Sequence, residues 1–109
     1  MEQDKAIEAF AALAQPSRMT IFRLLVRTGP DGLQVGEISR RLDIVPSTLS
    51  GHLSLLRRAG LLKAKRNQRE IHYSANLTIV NELVGFLLAD CCDGRVENCS
   101  EILSLLEAR

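Results

Sequence analysis

A chain of 109 residues suffices for one domain, and its 46% apolar and 25% charged residues are the proportions of an ordinary soluble protein. The acidic opening MEQDKAIEAF starts a helical pattern and resembles neither a signal nor a transit peptide, and no apolar run is long enough to span a bilayer. Three cysteines, an odd number without secretory context, argue against a disulfide framework, so a single cytoplasmic domain with no membrane partner is expected. In chain order, DKAIEAFAALA places Ile7, Phe10, Ala11, Leu13 and Ala14 along one helical stripe. Gln15-Pro16 interrupts it, with Pro16 suited to the first turn of a second helix, PSRMTIFRLLVRTG. In that helix Met19, Phe22, Leu25 and Val26 recur at helical spacing, and Gly29-Pro30-Asp31-Gly32 ends it as a loop.

The next forty residues carry the functional signal. LQVGEISRRLD predicts a short helix with Ile38 and Leu42 four apart. A three-residue link, DIV, leads into PSTLSGHLSLLRRAG, where Pro46 starts a helix, Leu49, Leu53 and Leu56 form its buried stripe and Gly60 stops it. Two short amphipathic helices joined by a tight turn predict a helix-turn-helix. The outer face of the second helix presents Ser47, Thr48, Ser50, Gly51 and Ser54, small enough to enter a major groove and polar enough to bond base edges. Two strand-like runs follow, LLKAKR and REIHYSA, separated around Asn67-Gln68, and predict a β-hairpin.

Charge singles out the same region. The net charge is only +1, but residues 40–72 hold eight basic side chains against Asp43 and Glu70, a local +6, while residues 73–109 sum to −4. A basic hairpin beside the helix-turn-helix predicts a wing that lies against the phosphate backbone and positions the protein without reading sequence. Residues 34–74 are therefore expected to form a helix-turn-helix plus wing that binds double-stranded operator DNA. Candidate contacts are Ser47, Thr48, Ser50, Gly51, His52, Ser54 and Arg57 on the helix and Arg66, Asn67, Gln68 and Arg69 on the wing.

NLTIVNELVGFLLAD follows, with Asn76 as expected N-cap and a stripe of Leu77, Ile79, Val80, Leu83, Val84, Phe86, Leu87 and Leu88. That stripe is too wide for one partner surface in so small a domain. Residues 76–92 are thus expected to be a dimerisation helix, joined by the first helix, with 91–109 a cysteine-bearing C-terminal segment in which Ser100 caps a short helix, EILSLLEA. A two-fold homodimer sets two recognition helices about 34–36 Å apart over a palindromic site. The expected fold is mainly α with a two-stranded β wing, a winged helix-turn-helix homodimer through its first and fifth helices.

LAQPSRMTIFRLL, STLSGHLSLLRRAGLL (at Ser50, His52, Leu53, Leu56, Arg57, Ala59, Gly60 and Leu61) and REIHYSA with Tyr73 are together similar to the ArsR family of winged-helix metal-sensing repressors, over roughly residues 5–90. The resemblance implies a homodimer that represses by occupying an operator, needs no cofactor to bind DNA and leaves it when an inducer binds. The family's wing usually carries glycine at its tip, where Asn67-Gln68 stands here. Its best-known arsenic sensors place cysteines around the first helix of the helix-turn-helix, and LQVGEISRR has none. Its zinc sensors use histidines and carboxylates on the dimer helix, and NELVGFLLAD has no histidine.

All three cysteines instead fall in CCDGRVENC, residues 91–99. A Cys91–Cys92 bridge is strained, since adjacent Cα atoms lie about 3.8 Å apart. A Cys92–Cys99 bridge is sterically open. A closed zinc site needs a fourth ligand from Asp90, Asp93, Glu97 or water. Three thiolates without a fourth soft donor suit trivalent arsenic or antimony, whose lone pair fills the fourth corner, with lead, cadmium and mercury as other soft ions. The expected inducer is As(III) or Sb(III) at Cys91, Cys92 and Cys99, the alternative being a thiol-redox or other soft-metal switch in the same fold. A thiol-presenting chaperone or enzyme is a third class, but no general base is paired with a nucleophile and no phosphate loop is present. His52 is expected near DNA or against the wing, Tyr73 in the core and His72 at the surface.

Overall fold

The computed structural model describes residues 1–89, and the order of elements is α1 (Gln3–Leu13), α2 (Pro16–Thr28), α3 (Val35–Leu42), α4 (Pro46–Arg58), β1 (Leu62–Asn67), β2 (Glu70–Ala75) and α5 (Leu77–Leu87). The winged helix-turn-helix expected from the sequence is present. Cys91, Cys92, Cys99 and the short helix expected after Ser100 lie outside the described residues.

Prolines and side-chain bonds set the helix boundaries. Pro16 stands in the first turn of α2, where its missing N–H costs nothing, and the Gln15 side chain accepts the Arg18 N–H at 2.8 Å. Arg18 Nε donates to the Ala12 carbonyl at 2.6 Å, taking up an acceptor at the end of α1. Asp43 closes α3 in the left-handed region at φ 54°, and Ser39 Oγ donates to the Ile44 carbonyl at 2.6 Å, which fixes the turn into α4.

One core joins these elements. Ile21, Leu25, Ile38, Leu49, Leu53, Leu56 and Leu61 are fully buried, and each such side chain contributes about 1.5–3 kcal/mol. The α4 stripe is the expected one. On α1 and α2 the buried face differs from the expectation. Ala6, Ala9 and Ala12 face inward on α1, while Ile7 is 55% and Phe10 37% exposed. Small side chains let α1 sit close to the core, so its bulkier residues turn outward. On α2, Ile21 and Leu24 join Phe22 and Leu25 inside, and Met19 and Val26 remain exposed.

β1 and β2 pair antiparallel from Leu62↔Ala75 to Asn67↔Glu70, which leaves Gln68-Arg69 as a two-residue turn. The positive φ falls on Gln68 (61°), although Asn67 beside it is the residue type that tolerates that region better. The wing is tied to the start of the helix-turn-helix: Leu33 N donates to the Tyr73 carbonyl at 2.9 Å and Tyr73 N to the Leu33 carbonyl at 2.8 Å. Gly32 makes this approach possible, since a Cβ there would lie 2.3 Å from the Tyr73 oxygen. Tyr73 packs against the core half-buried, and His72 is half-buried rather than a free surface residue.

Two expectations for α5 change. Asn76 occupies the N-cap position without capping the helix: its Nδ2 donates at 2.8 Å to the Gly60 carbonyl across the base of the wing. The helix ends at Leu87, with Leu88 and Ala89 in a turn, short of the expected 76–92 span. Ile79 and Leu83 enter the core, whereas Leu77 is 54% and Leu87 62% exposed. Among the described residues no helix is long and apolar enough to cross a membrane.

Candidate nucleic-acid interface

The recognition face is built by opposition to the core. With Leu49, Leu53 and Leu56 buried on one side of α4, the opposite side holds Ser47, Gly51, Ser54 and Arg58 at spacings of four, three and four, the repeat of a single helical stripe. All four are exposed, as are Thr48, Ser50 and Arg57 on its flanks. His52 is half-buried at the edge. Arg58 is absent from the contacts expected from the sequence. Its signal is there, four residues after Ser54, but Arg57 beside it is the one that matches the family pattern.

Arg66, Asn67, Gln68 and Arg69 are all exposed at the wing tip. Arg66 Nε donates to the Gln68 carbonyl at 3.1 Å, which holds that guanidinium over the turn. Just behind the turn, His72 Nε2 and Glu70 Oε2 lie 3.4 Å apart, with His72 opposite Lys65 in the register.

The basic segment divides into bound and available charge. Glu37 pairs with Arg40 and, at 2.9 Å, with Arg41 Nε, all on α3. Hydrogen bonds from Arg41 and then Arg40 hold the Glu37 carboxyl below its ordinary pKa. Among the described residues, Arg57, Arg58, Lys63, Lys65, Arg66 and Arg69 make no ion pair, so six cations on α4 and the wing remain for phosphates. No group of three or more His, Cys, Asp or Glu suited to a metal occurs among the described residues.

A helix-turn-helix domain family matches residues 13–63, from the end of α1 to the start of β1. The transcriptional activator HlyU of Vibrio cholerae is 34% identical over 83 residues, covering 76% of this chain and 74% of that protein. The chain belongs to the ArsR family of winged helix-turn-helix transcriptional regulators. Within that family, the transcriptional repressor SdpR of Bacillus subtilis is 30% identical over 79 residues, covering 72% of this chain and 84% of that one. The solved structure of Vibrio cholerae HlyU covers 84% of this chain and 99% of its own, at 33% identity and a TM-score of 0.64; its reduced form, with 82% and 90% covered, gives 0.61. The homodimeric winged helix-turn-helix domain of Mb0332 from Mycobacterium bovis shares the fold, with a TM-score of 0.65 at 24% identity over 80% of each chain. As an ArsR-family member this chain is a DNA-binding transcriptional regulator and not an enzyme.

Proposed function

We propose that this regulator is a homodimeric repressor that occupies a palindromic operator and leaves it when As(III) or Sb(III) is bound by Cys91, Cys92 and Cys99. In this reading Ser47, Thr48, Ser50, Gly51 and Ser54 face base edges, with His52 at their margin. Arg57, Arg66, Asn67, Gln68 and Arg69, joined by Arg58, hold phosphates, and no cofactor is needed for DNA binding. The exposed apolar residues Ile7 and Phe10 of α1 and Leu87 of α5 support a second copy as partner, as does the homodimeric state of Mb0332. Repression is the sense of action named for SdpR, whereas HlyU is named an activator.

The observation that carries the inducer assignment is that every thiol of the chain lies within nine residues, beginning four residues after α5 ends. Three soft donors so close in sequence close a small chelate loop at little entropic cost. Their position next to the proposed dimer helix supports coupling between metalloid and DNA. A ten- to hundredfold loss of operator affinity requires about 1.4–2.8 kcal/mol of coupling, within the ordinary allosteric range. A second reading, release by thiol oxidation through Cys92 and Cys99, is favoured by one observation. HlyU has been solved in a form described as reduced, so redox state is a distinguished variable for that relative.

The test is an operator-release titration with arsenite under reducing, zinc-free conditions, beside Cys91→Ser, Cys92→Ser and Cys99→Ser. Release at about one arsenic per subunit, lost in each variant, is the expected result. Indifference to arsenite, with release by one equivalent of a mild oxidant that consumes two thiols, replaces the metalloid with the redox switch.

A further inference from the structure

Where α2 ends, a cavity of about 260 Å³ opens between three elements. Leu25, Val26 and Pro30 wall it at the end of α2 and the loop beyond, Lys63 and Ala75 at the base of the wing, and Leu77 at the first turn of α5. Val26 is 41% and Leu77 54% exposed, so large apolar surface faces water here. Lys63 is exposed, and among the described residues no carboxylate pairs with it. The lining is thus mainly apolar, with the Lys63 ammonium as its one charge and the Thr78 hydroxyl as a neutral polar group. The start of α5 reinforces that sign: Asn76 gives its amide to Gly60, so the first turn has no side-chain cap and its partial positive charge is unanswered.

We propose that this cavity is a binding site for a small carboxylate with an apolar body, of about the size of a substituted benzoate. A dry cavity of about 150 Å³ holds benzene, so the larger volume here takes a ring and its carboxylate. It falls short of the roughly 300–1,000 Å³ that drug-sized ligands occupy. The ring lies against Val26, Pro30 and Leu77, and the carboxylate takes the Lys63 ammonium. A neutral ring of the same shape gains the apolar contact only. Because the walls belong to α2, the wing and α5, an occupant bears on how the wing sits relative to α5. This site owes nothing to the cysteines.

The experiment uses the full chain with all three cysteines changed to serine, titrated with benzoate and with benzamide and followed by amide NMR. Benzoate is expected to bind saturably with a Kd of about 1 mM or tighter, shifting Val26, Lys63, Ala75 and Leu77, and benzamide about tenfold more weakly. Lys63→Met is expected to lower benzoate affinity about tenfold. Val26→Trp, which fills the cavity, is expected to abolish binding; should it not fold, the exposed Lys63→Met decides alone. Saturating benzoate is expected to change wild-type operator affinity at least severalfold, through the wing. Absence of saturable binding, equal affinity for benzoate and benzamide, insensitivity to Lys63→Met, or shifts elsewhere on the chain overturns the site, and an unchanged operator affinity overturns its regulatory part.

Discussion

Replacing Gly32 with alanine tests the link between the wing and the helix-turn-helix. Two effects combine at this position. Its φ of +70° is in the left-handed region, where a Cβ costs about 1–2 kcal/mol. The added carbon would also lie 2.3 Å from the Tyr73 oxygen and 2.8 Å from its carbonyl carbon, both backbone atoms that cannot rotate away. Relief requires opening the paired Leu33–Tyr73 hydrogen bonds of 2.9 and 2.8 Å, each contributing about 1 kcal/mol. Alanine's lower unfolded-state entropy returns somewhat less than 1 kcal/mol, leaving a net loss of about 3 kcal/mol. For a domain of this size that is a fall in Tm of roughly 15 °C. Gly29→Ala is the comparison: its φ of +94° and ψ of −171° lie in a region essentially reserved for glycine, at a backbone cost of about 1–3 kcal/mol, but nothing lies within 4 Å of the added carbon. Urea unfolding of both variants is the assay, with operator affinity measured well below either melt, where Gly32→Ala should bind about tenfold more weakly because its wing is unanchored. Operator affinity weakened equally at the two glycines would refute the argument that the close approach of Gly32 to Tyr73 anchors the wing.

Arg58→Ala should leave stability within about 0.5 kcal/mol of wild type, the side chain being exposed, while the slope of log K against log salt for operator DNA becomes shallower by about 0.9; an unchanged slope removes Arg58 from the phosphate contacts. Gln68→Gly should raise stability by about 0.5 kcal/mol in urea unfolding, since relief of the left-handed strain at φ 61° exceeds glycine's entropic cost, and a lower midpoint contradicts this. Glu37 has a folded-state pKa below its ordinary 4.5, so its ion pairs stabilise α3 above that value and cease to do so as pH falls through the lower folded value. Melting curves of wild type and Glu37→Gln should therefore differ near neutrality and converge in acid; a constant gap across that range denies the pairing its role.

Much of the fold was legible because proline and leucine leave unambiguous marks. Pro16 and Pro46 each open a helix, and the spacing of Leu49, Leu53 and Leu56 identifies both the buried and the outward face of α4. That outward face, with the basic hairpin after it, is where the sequence puts the DNA-binding half of the candidate site. What escaped depends on tertiary partners. Nothing local tells Ala6, Ala9 and Ala12 that a neighbouring helix will come close enough to bury them in preference to Ile7 and Phe10. Asn76 has the ideal residue type for an N-cap, but the Gly60 carbonyl, sixteen residues away in the chain, takes its amide. Gln68 carries a left-handed φ that its own chemistry disfavours, because the pairing of Asn67 with Glu70 fixes the turn to two residues. Arg40 and Arg41 count as charge for DNA in the sequence, yet Glu37 one turn earlier engages both.

The alanine face of α1 separates two kinds of evolutionary freedom. Ala6, Ala9 and Ala12 admit no larger side chain without lifting the helix off the core, so drift there is closed. Ile7, Phe10 and, on α2, Met19 face outward, and their replacement leaves the interior of the subunit intact. With α1 in the proposed dimer seam, a duplicated copy of this chain can change which copies it pairs with through outward substitutions on that helix. Its buried core and the exposed face of α4 keep their residues throughout.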